Sequence, residues 1–248
     1  TEESYGAGIF PIGEIQHLLN LADALLPNSK AEADALGSIF QVPREKFFPI
    51  VNGVDDYFLH QEADAQLFLD TYGIEPPFLL YVANIEPRKN QLNLVQAVRD
   101  LDIPLVMLGN IRDQAYFDRC VETGQGCFRY LGYVEHHSPL LLSAYRACSV
   151  CVLPSLLETP GLAALEAAAK GAKVVITQEG CTQEYFGDGV TYVDPTSVES
   201  IRQGIRQQLA APVSPDLAAH IATSYTWQSA APQLQQVNTQ ILQPLIPL

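Results

Sequence analysis

Two glutamates eight positions apart form the clearest chemical pattern in the sequence. Glu158 and Glu166 lie in the stretch LPSLLETPGLAALEAAAKGAKVV (153–175), where an apolar run, a Pro-Gly turn and an alanine-rich segment follow one another. A carboxylate has only hydrogen-bond acceptors, which suit the paired hydroxyl groups of a ribose or another vicinal diol. On a helix that starts after the turn, Glu166 would lie about 40° from Leu162, close to the buried side and among small residues. The spacing therefore predicts a site for a ligand rich in hydroxyl groups.

Each glutamate also has an ordinary structural explanation. A carboxylate at the position of Glu158 is stabilised by the positive end of the helix that follows it. Glu166 and Lys170 have the i,i+4 spacing of a common ion pair on a helix. Only the combination of both glutamates with the turn favours a functional site.

The turn between them offers backbone groups that bind anions. Pro160 ends its irregular part, and Gly161 lets a ligand approach the backbone closely. The N–H groups of Gly161 and Leu162 are expected to be free, because they begin a helix. The turn is therefore a candidate site for a phosphate.

A second candidate anion site lies in the stretch ANIEPRKNQ (83–91). Pro87 makes a sharp turn, Arg88 and Lys89 follow it, and Asn90 is predicted to cap the next helix. Two cations beside a helix N-terminus attract an anion, because the helix dipole adds to their charge. A solvated turn is the alternative. The chain has only 14 Lys and Arg against 28 Asp and Glu, so adjacent cations favour a bound phosphate.

Strand-like apolar runs alternate with helical stretches along most of the chain, which is typical of parallel βα units. Strands are predicted near 78–85, 104–109, 128–134, 149–155, 173–177 and 191–194. Helices are predicted at 91–101, 112–123, 139–147, 161–170 and 198–209. The predicted fold class is α/β, with a doubly wound parallel sheet whose ligands bind at the carboxyl ends of the strands.

The first 56 residues repeat this alternation on a smaller scale. Helices are predicted in IGEIQHLLNLADALL and KAEADALGSIF, and strands at LLPNS and in KFFPIVNG. These elements are too few for a closed domain. The interpretation is a remnant of a first domain with a linker at 1–56, a complete domain at 57–227 and a terminal helix at 228–248. The start, TEESYGAG, has neither an initiator Met nor a signal-peptide pattern, which predicts that the chain is part of a longer protein.

Composition excludes several classes of partner. The net charge of −14 argues against nucleic acid, because most of this surface would repel a phosphate backbone. No apolar run approaches the roughly 20 residues of a membrane-spanning helix. Cys148 and Cys151 have CxxC spacing without a second pair for zinc, so buried thiols in a reducing, cytoplasmic setting are expected. No metal or cofactor is expected, and the adjacent His136 and His137 are interpreted as part of a solvated loop.

The Glu-x7-Glu motif and its surroundings resemble the retaining nucleotide-sugar glycosyltransferases with the GT-B fold, a large family that includes sucrose synthases and many mannosyl- and glucosyltransferases. Further blocks that carry the resemblance are, in order, FPIVNGVD, LYVANIEPRKN, YLGYV, LLLSAYRACSVCVLPS and CTQEYFGDGVTYVDP. The resemblance covers about residues 22 to 230. It implies a Rossmann-like C-terminal domain that binds the sugar donor, with a small part of the N-terminal domain before it.

The resemblance also implies a role for each candidate residue. Glu166 would bind the ribose hydroxyls of the donor, and Glu158 would contact hydroxyls of the transferred sugar. Lys89, with Arg88 beside it, would neutralise the diphosphate, and the backbone near Val134 would read the base. The other donor-binding residues implied lie at the end of the first predicted strand and in the turn: Asn84, Thr159, Pro160, Gly161 and Leu162.

Two positions depart from the family pattern. Asn84 stands where many relatives carry an arginine, so the phosphate site is weaker there or Arg88 supplies the charge. Pro160 replaces a common aromatic residue and lacks an N–H group, which removes one donor to the sugar. The acceptor pocket, which the first domain supplies in this family, is expected outside this sequence.

The expected function is metal-independent transfer of a hexose with retention of the anomeric configuration. A UDP-sugar such as UDP-glucose is the first choice of donor and a GDP-sugar the second. The expected acceptor is a saccharide or a lipid-linked sugar, in the synthesis of polysaccharide or cell-envelope glycan. A cytoplasmic location is expected, with peripheral association of the full-length protein at the inner face of the membrane as a further option.

Other functions are compatible with the same sheet. A sugar phosphorylase, a nucleotide-sugar epimerase and a non-catalytic module that binds nucleotide sugars remain alternatives. A NAD-dependent dehydrogenase is disfavoured, because the G-x-G at Gly6 to Gly8 follows no predicted strand and lacks the third glycine.

Overall fold

A computed structural model describes residues 12–242. Within this range the chain forms two compact units, one comprising Val54–Thr226 and the other comprising 12–53 with 227–242. That residues 1–56 are the remnant of a first domain with a linker stays a prediction. Gly6 and Gly8 lie outside the described residues.

The unit 54–226 is built on one parallel sheet of six strands. Their bounds are β1 Leu79–Val82, β2 Leu105–Leu108, β3 Phe128–Tyr130, β4 Val150–Leu153, β5 Lys173–Thr177 and β6 Thr191–Val193. The strands follow the order β3-β2-β1-β4-β5-β6. This is the order of a Rossmann-like doubly wound fold, and the predicted fold class is confirmed.

Continuous apolar runs explain why this sheet is buried. Every residue of β2 (LVML) and β4 (VCVL) is buried, whereas β3 at the sheet edge is only partly covered. Strands with helices on both faces need no alternation of polar and apolar residues. Leu79 of β1 lies opposite Leu105 on one side and Val150 on the other, so β1 and β4 are central neighbours.

Helices connect the strands and cover the sheet. Their bounds are α3 Asp56–His60, α4 Ala65–Tyr72, α5 Gln91–Val98, α6 Gln114–Gly124, α7 Pro139–Ala147, α8 Leu162–Ala169, α9 Thr182–Phe186, α10 Val198–Ala210 and α11 Pro215–Ser224. One packed group consists of α5, α6 and α10, and another of α4, α7, α8 and α11. This arrangement fits a sheet wound on both faces.

Four of these helices, α3, α4, α9 and α11, were not among the predicted elements. The sequence nevertheless carries signals for α4. The Asp64 side chain caps it by accepting a hydrogen bond from the Gln66 N–H at 2.9 Å, and Gly73 ends it in a left-handed conformation with φ of 58°. An aspartate before a helix and a glycine after it are the usual boundary signals.

The two strands predicted in the first 56 residues are wrong. Residues 12–53 contain α1 (Ile12–Leu21), α2 (Lys30–Ile39) and a short 3₁₀ helix (Arg44–Lys46), and Leu25 pairs with Phe47 as an isolated parallel bridge. The Ile50 N–H donates to the Pro27 carbonyl at 2.9 Å, one bond beyond this bridge. Pro27 has no N–H group, so a second complete bridge cannot form and no regular strand develops. The last described element is α12 (Trp227–Leu242), which contains Pro232.

Among the described residues, no helix combines the length and the apolar character needed to cross a membrane.

Candidate active site

A cleft lies at the carboxyl ends of β1 and β4, where the strand order reverses. In doubly wound sheets this switch point is the usual position of a ligand. Two adjoining cavities of about 260 and 390 Å³ form the cleft. They share the lining residues Val82, Ala83, Asn84, Leu162 and Ala163.

The cleft brings all ten predicted site residues together, although their roles stay predictions. The cavity of about 390 Å³ is lined by Arg88, Lys89, Glu158, Thr159, Pro160 and Gly161. The cavity of about 260 Å³ is lined by Val134 and Glu166. Asn84 and Leu162 line both.

Lys89 and Glu158 form an ion pair in the lining of the larger cavity. The Lys89 Nζ lies 2.5 Å from the Glu158 Oε1, and the two side chains are only 15% and 7% exposed. Burying a charge is costly unless a partner of opposite charge compensates it. The pair therefore allows a cation and a carboxylate to share a site that is largely shielded from water.

Backbone hydrogen bonds fix the turn that carries Lys89. The Tyr81 hydroxyl, at the end of a fully buried side chain, donates to the Lys89 carbonyl at 2.9 Å. The Leu156 N–H donates to the Arg88 carbonyl at 2.9 Å and so connects the loops after β1 and β4. Because Tyr81 is desolvated and lies near Glu158, its pKa is raised well above the ordinary value.

Asn90 does not cap α5 with its side chain, contrary to the prediction. It has a left-handed backbone with φ of 61° and accepts no capping hydrogen bond. Its Nδ2 instead donates to the carbonyls of Pro154 at 2.8 Å and Pro195 at 2.7 Å. The side-chain amide therefore donates to two buried backbone carbonyls. In this way Asn90 connects the loops that follow β1, β4 and β6.

Arg88 and Asn84 lie at the entrance to the same cavity. The Arg88 guanidinium donates to the Glu86 carboxylate at 3.1 Å and its side chain is 57% exposed. The Asn84 carbonyl accepts a hydrogen bond from the Gln91 Nε2 at 2.7 Å, which fixes the end of β1 against the start of α5. Arg88 is therefore an exposed charge, whereas Lys89 is a buried one.

The loop of Glu158 is fastened to the loop after β5. The Glu158 N–H donates to the Glu179 backbone carbonyl at 3.2 Å, and the Cys181 N–H donates to the Glu158 carbonyl at 3.0 Å. Gly180 lies between these contacts with φ of 100°, and a Cβ atom there would lie 2.1 Å from the Glu158 carbonyl oxygen. Only glycine fits so close to another backbone.

Helix α8 begins at the cleft with small residues. Gly161 precedes it with φ of 90°, and a Cβ atom there would lie 3.1 Å from the Ile176 Cδ1, so the turn sits directly on β5. The first N–H groups of a helix have no acceptor within it, and their dipoles attract an anion. Leu162 is 44% exposed and lines the cleft. The expectation that it marks a buried side of the helix is therefore wrong.

Glu166 is held by two side chains from other elements. Its Oε2 accepts a hydrogen bond from the Tyr145 hydroxyl at 2.9 Å, and its Oε1 lies 2.8 Å from the His136 Nε2. The ordinary explanation, a pair with Lys170, is wrong, because the Lys170 Nζ donates to the Gln61 carbonyl at 2.6 Å. Lys170 follows the last helical residue, where the backbone has left the helical path.

His136 was missed as a site residue and interpreted as part of a solvated loop. Its side chain is 50% exposed, but its ring lies 4.8 Å from that of Phe58 and it lines the cavity with Glu166. The hydrogen bond to Glu166 raises the pKa of His136, although burial opposes the rise. Burial, followed by the charge of Glu166, also raises the pKa of Tyr145 well above its ordinary value.

The cavity around Val134 is an apolar slot between strand ends. It is lined by Leu108, Gly109, Tyr133 and Leu141 as well as by Val134. A Cβ atom on Gly109 would lie 2.0 Å from the Ala83 carbonyl oxygen, so this glycine lets the ends of β1 and β2 approach each other. A flat aromatic ring fits such a slot, because apolar walls cover its faces.

The cysteines of the CxxC pair are buried within the fold. Cys151 lies within β4 and Cys148 ends α7, and both are buried and free. Burial raises the pKa of Cys151 to about 12. Within residues 12–242, no group of three His, Cys, Asp or Glu side chains is placed to hold a metal ion.

The residues of this cleft fall within a segment, 71–224, that matches the sequence model of the family described as Glycosyl transferases group 1. The match covers more than half of the chain. This chain belongs to the group 1 glycosyltransferases.

Relatives in sequence include a mannosyltransferase and a glycogen synthase. The O-antigen chain mannosyltransferase B of Escherichia coli is 34% identical over 62% of this chain and 42% of its own length. The glycogen synthase of Mycobacterium tuberculosis is 27% identical over 89% of this chain and 55% of its own length. This group 1 chain therefore spans about half the length of these curated relatives.

Solved structures of other glycosyltransferases share the fold. A glycosyltransferase from Rickettsia africae has a TM-score of 0.82 at 18% identity, covering 94% of this chain and 68% of its own. HepE from Anabaena, solved in complex with UDP, has a TM-score of 0.77 at 18% identity, covering 91% and 68%. At these identities the likeness establishes the fold of this group 1 chain alone.

Proposed function

We propose that this chain is the donor-binding part of a glycosyltransferase that transfers a hexose from a nucleotide sugar with retention of configuration. The observation that carries the proposal is the convergence of Lys89, Glu158 and Glu166 on one cleft at the switch point of the sheet. A UDP-sugar is the proposed donor, with a GDP-sugar as the second choice. The UDP held by HepE and the relatives named mannosyltransferase and glycogen synthase support a nucleotide-linked hexose.

Cations and backbone N–H groups are proposed to bind the diphosphate. An ammonium group has three donors, and Glu158 occupies one of those of Lys89, so donors remain for phosphate oxygens. Arg88 at the cavity entrance adds a second charge. The first N–H groups of α8, which begins in the lining of the same cavity, add their dipoles.

The sugar and the nucleoside are assigned to opposite ends of the cleft. Glu158 and the turn at Thr159 and Gly161 are proposed to hold the hydroxyl groups of the transferred sugar. Glu166 is proposed to accept hydrogen bonds from the ribose diol, and the slot around Val134 to receive the base. The two cavities adjoin, which suits a ligand that extends from base to sugar.

Leaving-group stabilisation is the proposed contribution of this domain to catalysis. In a retaining transfer the acceptor attacks the anomeric carbon from the face that the diphosphate leaves. Negative charge grows on the departing diphosphate, and Lys89, Arg88 and the α8 N–H groups are proposed to stabilise it. Preorganised groups of this kind lower a barrier because they need no rearrangement during the reaction. A metal ion is not required for this role, because the cations supply the positive charge.

The acceptor is proposed to be a saccharide or a lipid-linked sugar in the synthesis of a polysaccharide or cell-envelope glycan. The names of the O-antigen mannosyltransferase and the glycogen synthase support a polysaccharide. A cytoplasmic location is proposed, because Cys120, Cys148 and Cys151 are buried thiols outside any disulfide.

A calorimetric titration of the chain with UDP, UDP-glucose, GDP, GDP-mannose and ADP tests this proposal. Tight binding of one nucleotide and its sugar, retained in the presence of a chelator, is the expected result. Glu166→Ala should weaken binding of the nucleotide and of its sugar by about tenfold or more, because hydrogen bonds to a charged acceptor contribute about 1.5–3 kcal/mol. The proposal would be contradicted if the chain bound none of these compounds, or if Glu166→Ala bound them as tightly as the wild type. A strict need for a divalent metal would contradict the proposed metal independence.

A further inference from the structure

The carboxylate of Glu166 is fixed from two sides within the cleft. Tyr145 of α7 donates to its Oε2 at 2.9 Å, and the Nε2 of His136, in the loop between β3 and α7, lies 2.8 Å from its Oε1. The Glu166 side chain is only 8% exposed. Burying a carboxylate without hydrogen-bond partners is costly, so these two bonds stabilise the side chain in place.

The two bonds leave room for a ligand. An ionised carboxylate has about four acceptor positions, of which Tyr145 and His136 use two. The cavity of about 260 Å³ reaches Glu166 while both bonds are formed. A bound diol can therefore use the remaining acceptors without displacing either partner.

We propose that Tyr145 and His136 are positioning residues that fix the carboxylate of Glu166 in the orientation required by a vicinal diol. This inference rests on the proposed function, in which the diol belongs to the ribose of the nucleotide. A glutamate has several rotatable bonds, and holding it in one conformation before the ligand arrives reduces the entropy lost on binding. Neither partner needs to touch the nucleotide to have this effect.

The two partners differ in how firmly they are held. Tyr145 is completely buried, with its ring 6.0 Å from that of Phe58. His136 is half exposed, and its ring lies 4.8 Å from that of Phe58 and 4.7 Å from that of His137. Substitution of His136 therefore disturbs the core less than substitution of Tyr145, and His136 provides the cleaner test.

The test compares a ribonucleotide with its 2′-deoxy form, which lacks one hydroxyl of the diol. The probes are UDP and 2′-deoxy-UDP, or GDP and 2′-deoxy-GDP if the chain binds GDP more tightly. Titration calorimetry measures both affinities for the wild type, His136→Ala, His136→Gln and Tyr145→Phe. His137→Ala is the matched control, because His137 is the adjacent imidazole and lies 3.6 Å from Asp55, not at Glu166. Thermal unfolding checks that each variant is folded.

His136→Ala and Tyr145→Phe should each weaken binding of the ribonucleotide by about threefold to tenfold, in line with the loss of one hydrogen bond. Both should weaken binding of the 2′-deoxy form less than binding of the ribonucleotide, because only the 3′-hydroxyl of that form remains to meet Glu166. His136→Gln should recover part of the loss, because its amide can donate to Glu166, and His137→Ala should bind like the wild type. If Tyr145→Phe does not fold, the two His136 variants decide the outcome.

If the wild type prefers the ribonucleotide, three results would overturn this inference and leave the assignment of Glu166 to the ribose standing. These are unchanged affinity of His136→Ala, an equal loss for the ribo and deoxy forms, and tighter binding of His136→Ala, which would make His136 a competitor of the ribose. A wild type that binds the two forms equally, or binds neither, would overturn the assignment of Glu166 to the ribose and the inference with it.

Discussion

At the scale of single residues, Lys89 and Glu158 form an ion pair although they are proposed to bind different parts of the donor. Lys89 is assigned to the diphosphate and Glu158 to the sugar. The Lys89 Nζ and the Glu158 Oε1 lie 2.5 Å apart in a shielded site. If Lys89 were replaced by alanine, Glu158 would stay buried without its partner, which is itself destabilising. Loss of binding in that variant would mix two effects. A glutamine at 89 avoids this, because its amide still donates to a carboxylate without carrying a charge.

The first prediction concerns the charges at the diphosphate site. Lys89→Gln together with Arg88→Ala should weaken binding of the nucleoside diphosphate by about a hundredfold or more, since two charge-assisted hydrogen bonds contribute about 1.5–3 kcal/mol each. Binding of the nucleoside without phosphates should be unchanged. Titration calorimetry at two salt concentrations measures both, and wild-type affinity for the diphosphate should fall as salt rises.

Arg99→Ala is the control for net charge, because Arg99 is half exposed and pairs weakly with Asp100 at 3.9 Å. It should bind the diphosphate like the wild type. The electrostatic account is contradicted if salt leaves diphosphate binding unchanged, or if the double variant loses nucleoside binding to the same extent.

The second prediction concerns the pH dependence of stability at His136. Its pKa is raised in the folded protein, mainly by the hydrogen bond to Glu166, with further contributions from Asp55 and Glu135. The folded state therefore favours the imidazolium, and this stabilisation is fully present below the pKa of an unfolded histidine, about 6.5. It is lost as the pH rises through the raised value. His136→Ala should lower the melting temperature more at pH 5.5 than at pH 8.5.

Thermal unfolding of the wild type and the variant across this pH range checks the prediction. His137→Ala serves as the neighbouring control and should show a smaller change with pH. A difference between His136→Ala and the wild type that is constant with pH would mean that His136 contributes by packing against Phe58 and not by its charge.

At the scale of elements, the parallel bridge between Glu158 and Gly180 connects the loops after β4 and β5. The third prediction is that Gly180→Ala destabilises the fold by about 2–4 kcal/mol, because a Cβ atom would lie 2.1 Å from the Glu158 carbonyl oxygen at φ of 100°. Displacement of Glu158 should also weaken binding of the nucleotide sugar more than binding of the nucleotide. Chemical denaturation and calorimetry measure the two effects.

Gly171→Ala separates the clash from the backbone strain. Gly171 has φ of 81°, and a Cβ atom there would meet nothing within 4 Å. It should cost only about 1 kcal/mol and leave donor binding unchanged. Similar losses in the two variants would show that the contact between the loops is unimportant.

Elements with strong local signals were predictable from the sequence. The prediction at 173–177 coincides with β5, and that at 139–147 coincides with α7. The apolar run KVVIT and the Ser-Pro start of α7 suffice for this, because they act locally. The single bridge between Leu25 and Phe47 was not predictable from apolar content, because Pro27 lacks the N–H group that a second bridge would need.

The site was predictable only as far as sequence motifs reach. The stretches that contain Lys89 and Glu158 were identified, because each follows a buried strand and precedes a helix. The partners of Glu166 were not found, because Tyr145 and His136 are 21 and 30 residues away and reach it only through tertiary packing. Asn90 was assigned as a helix cap for the same reason, since Pro154 and Pro195 are distant in the sequence.

At the scale of the whole molecule, binding and transfer place different demands on the protein. The groups proposed to hold the donor all lie between Asn84 and Glu166, within the unit 54–226. Transfer also needs the acceptor hydroxyl held close to the anomeric carbon. The family resemblance assigns that pocket to a first domain, and the matched part of this chain spans only about half the length of the curated relatives.

The fourth prediction is that the 248-residue chain binds its donor but transfers no sugar at the rate of a complete enzyme. Orienting two reactants is worth about 7–11 kcal/mol in well-oriented cases, and a donor site alone cannot supply this for the acceptor. Slow hydrolysis of the nucleotide sugar is still expected, because water needs no pocket and the leaving-group site is present. Incubation with the donor and a panel of free and lipid-linked saccharides, with release of nucleotide and product followed separately, checks this. Robust transfer by the chain alone would show that the acceptor pocket lies within these residues, and hydrolysis lost in Lys89→Gln would link the residual reaction to the proposed site.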